Sequence, residues 1–216
     1  MKYTNIIWDW NGTLLNDTEL SIKCINTLLK RRSLPLLSAE QYREVFGFPI
    51  REYYQRIGLD FEKEPFETLA VEYMELYQIR SLSCKLYEGA AETLALLKEK
   101  GVRHILLSAS DTGYLSAQLA CYPELAGMFS RIMGLDNIHA ASKTALGRLL
   151  AAQEDLSSAL AVGDTPHDAE VAKAMNVDCV LVACGHKDRK SLLACGVPVL
   201  ESVRQLPEFF TKRFYE

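Results

Sequence analysis

No run of apolar residues in this 216-residue chain approaches the roughly 18 that cross a bilayer, and no two of its six cysteines stand in a CxxC pair. The first absence argues against a helical membrane span, the second against a thiolate metal site or a redox motif. A basic block is missing as well. With 24 Lys and Arg against 28 Asp and Glu the formal net charge is −4, so the electropositive footprint of a nucleic-acid-binding protein is not there. Repeats, low-complexity tracts and long Gly/Ser linkers are also absent. The opening residues carry only Ile6, Ile7 and Trp8 in a row before charge returns, too little for a signal peptide. Cys24, Cys84, Cys121, Cys179, Cys184 and Cys195 are therefore expected as reduced, mostly buried thiols of a cytoplasmic protein.

What remains is the balance of an ordinary globular protein, 49% hydrophobic and 24% charged, at a length that fits one large domain or a core plus an insertion. Short apolar runs recur at Tyr3 to Trp8, Val102 to Leu107, Ala159 to Val162 and Cys179 to Val182, with Val197 to Leu200 a weaker case. Continuous runs of this length suit strands buried on both faces of a parallel sheet. Helical patterns follow them over Ala90 to Lys100, Thr112 to Tyr122, Lys143 to Gln153, Asp168 to Met175 and Val203 to Phe214. Such alternation predicts an α/β fold with a doubly wound parallel sheet.

One interval breaks the alternation. Between Asn16 and Cys84 the patterns are helical only, opening with Asn16 and Glu19 at capping spacing and with Leu20, Cys24, Ile25 and Leu28 on one face. Ser38 and Gln41 repeat the capping spacing, Gly47-Phe48-Pro49 marks a break, and Gly58 is placed to stop a helix. The expectation is a helical unit over residues 16–84, inserted into a core made of 1–15 and 85–216.

Four segments carry chemistry. Asp9 ends the first apolar run and enters Trp10-Asn11-Gly12-Thr13, at the carboxyl edge of a parallel sheet where open α/β folds bind ligands. Gly12 permits close backbone approach, and amides in such a turn can bond phosphate oxygens. The run His104 to Leu107 leads into Ser108-Ala109-Ser110-Asp111, with Ser108 a donor to an anionic oxygen and Asp111 a helix cap. Lys143 opens a helix, where the dipole mildly disfavours a cation, so its placement asks for a partner. His139, just before it, reads as a loop or core histidine. Asp164 and Asp168 lie four apart across a strand-to-helix turn. Converging with Asp9, they would be unpaired like charges that require a proton or a metal, and oxygen-only ligands near a phosphate point to Mg²⁺.

In this order, Asp9-Trp10-Asn11-Gly12-Thr13, Ser108, Lys143, then Gly163-Asp164 and Asp168, the segments resemble the haloacid dehalogenase-like hydrolase superfamily. The resemblance covers nearly the whole chain and is nearest to its phosphoglycolate phosphatase-like branch, which shares its cap type with β-phosphoglucomutase and phosphonoacetaldehyde hydrolase. It implies a Rossmann-like core and a mobile helical cap. By it, Asp9 is the nucleophile that forms an aspartyl-phosphate, and Asp9, the main-chain oxygen of Asn11, Asp164 and Asp168 (direct or through water) hold Mg²⁺. Gly12, Thr13, Ser108, Ala109 and Lys143 would bind the phosphoryl group of a small-molecule phosphate. Phe46 to Arg51 is similar to the loop that sets specificity in related caps, with Arg51 directed at a substrate carboxylate or phosphate, whereas Tyr53, Tyr54 and Tyr73 read as cap packing.

The departure is Asn11. Phosphatases that the chain resembles have aspartate there, to protonate the leaving oxygen and activate water, and general acid–base catalysis is typically about 10²–10⁴-fold. A leaving group that needs little protonation, a cap residue or water, or a different chemistry each answers it. His186, in Cys184-Gly185-His186-Lys187 after a strand, is one replacement proton source. Carbon–phosphorus bond cleavage would need a Schiff-base lysine, for which Lys23, Lys30, Lys63 and Lys85 lie in or beside the insertion. A low-turnover phosphometabolite-binding regulator is the third reading, and monomer and homodimer stay equally open.

Overall fold

The protein is described from a computed structural model that covers residues 2–136 and 142–212, with side chains through 210. In chain order its elements are β1 (Asn5–Trp8), β2 (Leu15–Asn16), α1 (Thr18–Arg31), α2 (Ala39–Val45), α3 (Ile50–Arg56), α4 (Phe66–Ser81), β3 (Lys85–Leu86), α5 (Ala90–Glu99), β4 (Arg103–Asp111), α6 (Thr112–Ala120) and α7 (Pro123–Ala126). Next come β5 (Phe129–Leu135), α8 (Lys143–Gln153), β6 (Ala159–Gly163), α9 (Pro166–Met175), β7 (Asp178–Val182), α10 (Arg189–Leu193), β8 (Val199–Leu200) and α11 (Leu206–Lys212). Six strands form one parallel sheet in the order β5-β4-β1-β6-β7-β8.

Strand periodicity explains why the apolar runs are continuous. Ile6, Trp8, Leu106, Leu160, Val162 and Val180 point into one core with Leu94, Leu115 and Leu206 of α5, α6 and α11. Their neighbours Ile7, Ile105, Leu107, Ala161 and Leu181 point into a second core with Leu146, Val171 and Leu192 of α8, α9 and α10. Helices therefore cover both faces, and an apolar side chain is needed at every position rather than every second one. This is the expected α/β architecture with a doubly wound sheet.

Strand β5 is absent from the sequence reading. Its side chains alternate between exposed and half-buried before Met133, and it carries Arg131, because it is an edge strand with one neighbour. Polar edge strands lack the apolar run that flags central ones. The expected capping by Asn16 is also corrected. Asp17 sits at the N-cap of α1 but makes no side-chain cap bond, since its carboxylate turns elsewhere. The Ser38–Gln41 capping box does form at α2, and Asp111 caps α6 through the Gly113 and Tyr114 amides. His139 and Phe214 lie outside the described residues.

The chain leaves the sheet through β2 and returns through β3, which pair antiparallel as Leu15 with Leu86 and Asn16 with Lys85. Between them, α1 to α4 bury their own cluster, including Ile25, Leu28, Tyr42, Tyr53 and Leu69. Arg32 in this unit binds Glu64 and Glu72 together. The loop after β7 grips the end of α2: Lys187 Nζ donates to the carbonyls of Glu44 at 2.6 Å and Phe46 at 2.9 Å, and Arg43 Nε to that of Gly185 at 3.1 Å.

Candidate active site

Asp9 follows the last residue of β1, its amide still donating to the Val162 carbonyl of β6 at 2.9 Å. The side chain therefore emerges at the carboxyl edge of the central strand. Asp164, after β6, and Asp168, in the first turn of α9, offer carboxylate oxygens that lie with one from Asp9 within 4.8 Å of each other. Lys143, only 5% exposed, reaches into this group from the start of α8, bonding Asp9 Oδ1 and, at 2.5 Å, Asp168 Oδ1. That contact is the partner the helix position demanded. One lysine against two buried and one half-buried carboxylate leaves the cluster short of positive charge.

The carboxylates are not equivalent. Burial pushes Asp9 and Asp164 above the ordinary carboxylate range, in spite of Lys143 beside the first and the His186 charge near the second. Asp168, also buried, is held below it by the Lys143 charge and by hydrogen bonds from Thr165 and the Asp164 amide. Asp168 thus orients Lys143 and closes the turn into α9, Asp9 shares that one lysine with it, and Asp164 has no ion-pair partner among the described residues. A divalent ion with oxygen ligands fits that donor set.

Thr13 and Gly12 do not line the cavity over the cluster. Thr13 is fully buried and its hydroxyl contacts Asp9 Oδ2 at 3.1 Å and Asp164 Oδ1 at 3.2 Å, so it positions carboxylates rather than a substrate. The Gly12 amide is likewise taken, by Asp17 Oδ1 at 2.9 Å and the Leu15 carbonyl at 3.0 Å. Its positive φ of 77°, and the Asp164 carboxylate and His186 ring that a Cβ would strike, explain the glycine. Ser108 and Ala109 do line the cavity, with the Ser108 hydroxyl accepting from the Ser110 amide at 3.1 Å.

Asn11 is locked as an amide. Its Nδ2 donates to Tyr77 Oη at 2.7 Å and Asp17 Oδ2 at 3.1 Å, and its Oδ1 accepts from the Ser110 hydroxyl at 2.8 Å. Tyr77 Oη in turn donates to Asp17 Oδ2 at 2.6 Å. Asp17 also meets His186 Nε2 at 3.2 Å, and His186 Nδ1 faces Tyr42 Oη at 2.9 Å. Burial opposes the charge on His186, yet Asp17 outweighs it and raises the imidazole to about 9. Asp17, Tyr42 and Tyr77 were not read from the sequence as site residues. Asp17 carried a signal, an acid eight residues after Asp9, but its role depends on partners up to 169 residues away.

The cavity holds about 470 Å³ between the sheet edge and α2 to α4. Arg51 is not among the residues lining it. Its guanidinium stacks on Phe61 and Phe66 and pairs with Glu67 at 3.6 Å, on a side chain 54% exposed. Lys23, Lys30, Lys63 and Lys85 do not line it either; among the described residues Lys143 is its only lysine. Tyr53, Tyr54 and Tyr73, read as packing, pack in the helical cluster and line the cavity as well.

A carboxylate at the end of the central strand, a lysine bonded to it and an acidic pair after the next strand define a class of hydrolase, and the comparisons agree. The family model for haloacid dehalogenase-like hydrolases matches residues 6–182, and the chain belongs to that family. It is 28% identical over 193 residues to a phosphoglycolate phosphatase of Caulobacter vibrioides, covering 85% of this chain and 80% of that protein. It is 26% identical over 200 residues to a 5'-nucleotidase of Pseudomonas aeruginosa, covering 90% and 89%. Among solved structures, a haloacid dehalogenase-like hydrolase of Streptococcus pneumoniae superposes with a TM-score of 0.81 at 19% identity, over 97% of this chain and 99% of that one, a likeness of fold.

Proposed function

We propose that the protein is a cytoplasmic Mg²⁺-dependent phosphatase that hydrolyses a small organic phosphate monoester through an aspartyl-phosphate on Asp9. The observation that carries this reading is the cluster of Asp9, Asp164 and Asp168 around Lys143, under-compensated in charge and opening into a cavity. Asp9, Asp164 and the main-chain oxygen of Asn11 would hold Mg²⁺, with Asp168 direct or through water. When bound, the ion supplies the positive charge that lets an anionic nucleophile meet an anionic phosphate.

The chain's own residues do the rest. Asp9 attacks phosphorus, and Lys143 neutralises Asp9 and the phosphoryl oxygens as they approach. Ser108 and the backbone at Ala109 orient the phosphoryl group. Residues 16–84 act as the cap over a core made of 1–15 and 85–216, and the bonds of Tyr42 with His186, Tyr77 with Asn11 and Lys187 with Glu44 hold it closed, excluding water. No transmembrane-length apolar helix is found among the described residues, and the six cysteines are free thiols, which supports the compartment.

Asp9→Asn tests the mechanism: Mg²⁺-dependent phosphate release from the purified protein should fall at least about 10³-fold. Unchanged release would sink the reading. Asn11 favours a second one, a phosphometabolite-binding protein with little turnover, because its amide is fully bonded and carries no titratable proton. Vigorous hydrolysis of alkyl phosphates by the wild type excludes it.

A further inference from the structure

The cap side of the cavity is largely apolar, its polar atoms mostly tyrosine hydroxyls. Phe46, Phe48, Ile50, Phe66, Tyr73 and Met74 line it, and among the described residues no arginine lines it and no lysine but Lys143, which is bonded to Asp9 and Asp168. The two histidines there are engaged as well, His186 by Asp17 and Tyr42, His167 by Glu170 at 3.1 Å with its ring against Phe48. A carboxylate or second phosphate on the organic part of a substrate would thus be buried without a counter-charge, which is costly. An aromatic ring fits this lining, since edge and face contacts between rings already organise these side chains.

One further observation narrows the class. Asn11 offers no acid to the leaving oxygen. A phenol, with a pKa near about 10 as in tyrosine, departs without that help far more readily than an aliphatic alcohol.

We propose that the substrate is a phosphate monoester of a phenol, with its ring against the cap aromatics. This rests on the phosphatase reading and specifies its substrate class. As the Asp9 oxygen bonds to phosphorus, the bond from phosphorus to the phenolic oxygen breaks. Its electron pair leaves on the phenolate, which takes a proton from water. A second water then cleaves the aspartyl-phosphate, releasing inorganic phosphate and restoring the Asp9 carboxylate.

The test compares kcat/KM of the Mg²⁺-loaded protein on phenyl phosphate, 4-(hydroxymethyl)phenyl phosphate, hexyl phosphate, glucose 6-phosphate and 2-phosphoglycolate, each also with Asp9→Asn as the blank. Binding of phenylphosphonate and methylphosphonate is measured in parallel by calorimetry. We expect both aryl esters to exceed the other three by about 100-fold or more, and phenylphosphonate to bind at least about tenfold tighter than methylphosphonate. Asp9-dependent turnover in which hexyl phosphate, glucose 6-phosphate or 2-phosphoglycolate equals phenyl phosphate overturns the proposal. If no ester gives Asp9-dependent release, the phosphatase reading fails, and the phosphonates then decide the ligand class: equal binding overturns it, a preference for the aryl compound upholds it.

Discussion

On the sheet side of the cavity every carboxylate is held by at least two partners: Asp9 by Lys143 and Thr13, Asp164 by Thr13 and the His186 amide, Asp168 by Lys143, Thr165 and the Asp164 amide. On the helical side, the aromatic and aliphatic side chains of α3, α4 and the loop before α3 meet one another through ring contacts and burial. The first surface is built by directional bonds among charges, the second by shape. Charge clusters tolerate little change, because removing one partner strands another in a medium that cannot solvate it. An apolar wall accepts volume-conserving substitution. In the proposed reaction the sheet edge is where the phosphoryl group is handled, and the helices are the part that can be altered to admit a different organic group.

Removing Lys143 probes the sheet side most severely. In Lys143→Met, Asp9 and Asp168 lose their shared cation, and stability measured by urea unfolding in EDTA should drop by about 3–5 kcal/mol, with phosphate release down at least about 10²-fold. A fully stable variant would show that the cluster is not charge-limited. Tyr77, where the two sides meet, should cost less: Tyr77→Phe deletes a hydrogen bond to the buried Asp17 carboxylate, for a loss of about 1.5–3 kcal/mol by the same measurement.

Metal binding sharpens the contrast through pH. In the metal-free protein burial raises Asp9 to about 6 and Asp164 to about 8, so below those values a cation must displace protons to bind. Mg²⁺ affinity followed by calorimetry should rise with pH by up to about tenfold per unit for each proton released, and level off above about pH 8. A flat profile would place the ion elsewhere. The smallest effect belongs to the exposed start of α2. Ser38→Ala removes one half of the capping box and should destabilise by about 1 kcal/mol while leaving kcat on any hydrolysed ester unchanged.

Much of the sheet side was legible in one dimension. β1, β4, β6 and β7 are buried on both faces and announce themselves as apolar runs, and the residues that follow them, Asp9, Ser108 and Asp164, must then stand at one edge of the sheet. β5 escaped because an edge strand needs no such run, and Arg51 was misplaced because a basic residue next to a loop can turn either toward a cavity or onto neighbouring rings such as Phe61 and Phe66.

Local order along the chain was enough to set the architecture, since hydrophobic periodicity, helix starts and the turns after strands are all decided within a few residues. Packing alone decided that Asp17 abandons its helix cap for Asn11, Tyr77 and His186, that Gly12 is there to make room for Asp164, and that Tyr53 keeps an unanswered hydroxyl. Those choices depend on which side chains separate stretches bring within about 3 Å of one another, the range in which a buried polar group finds its partner.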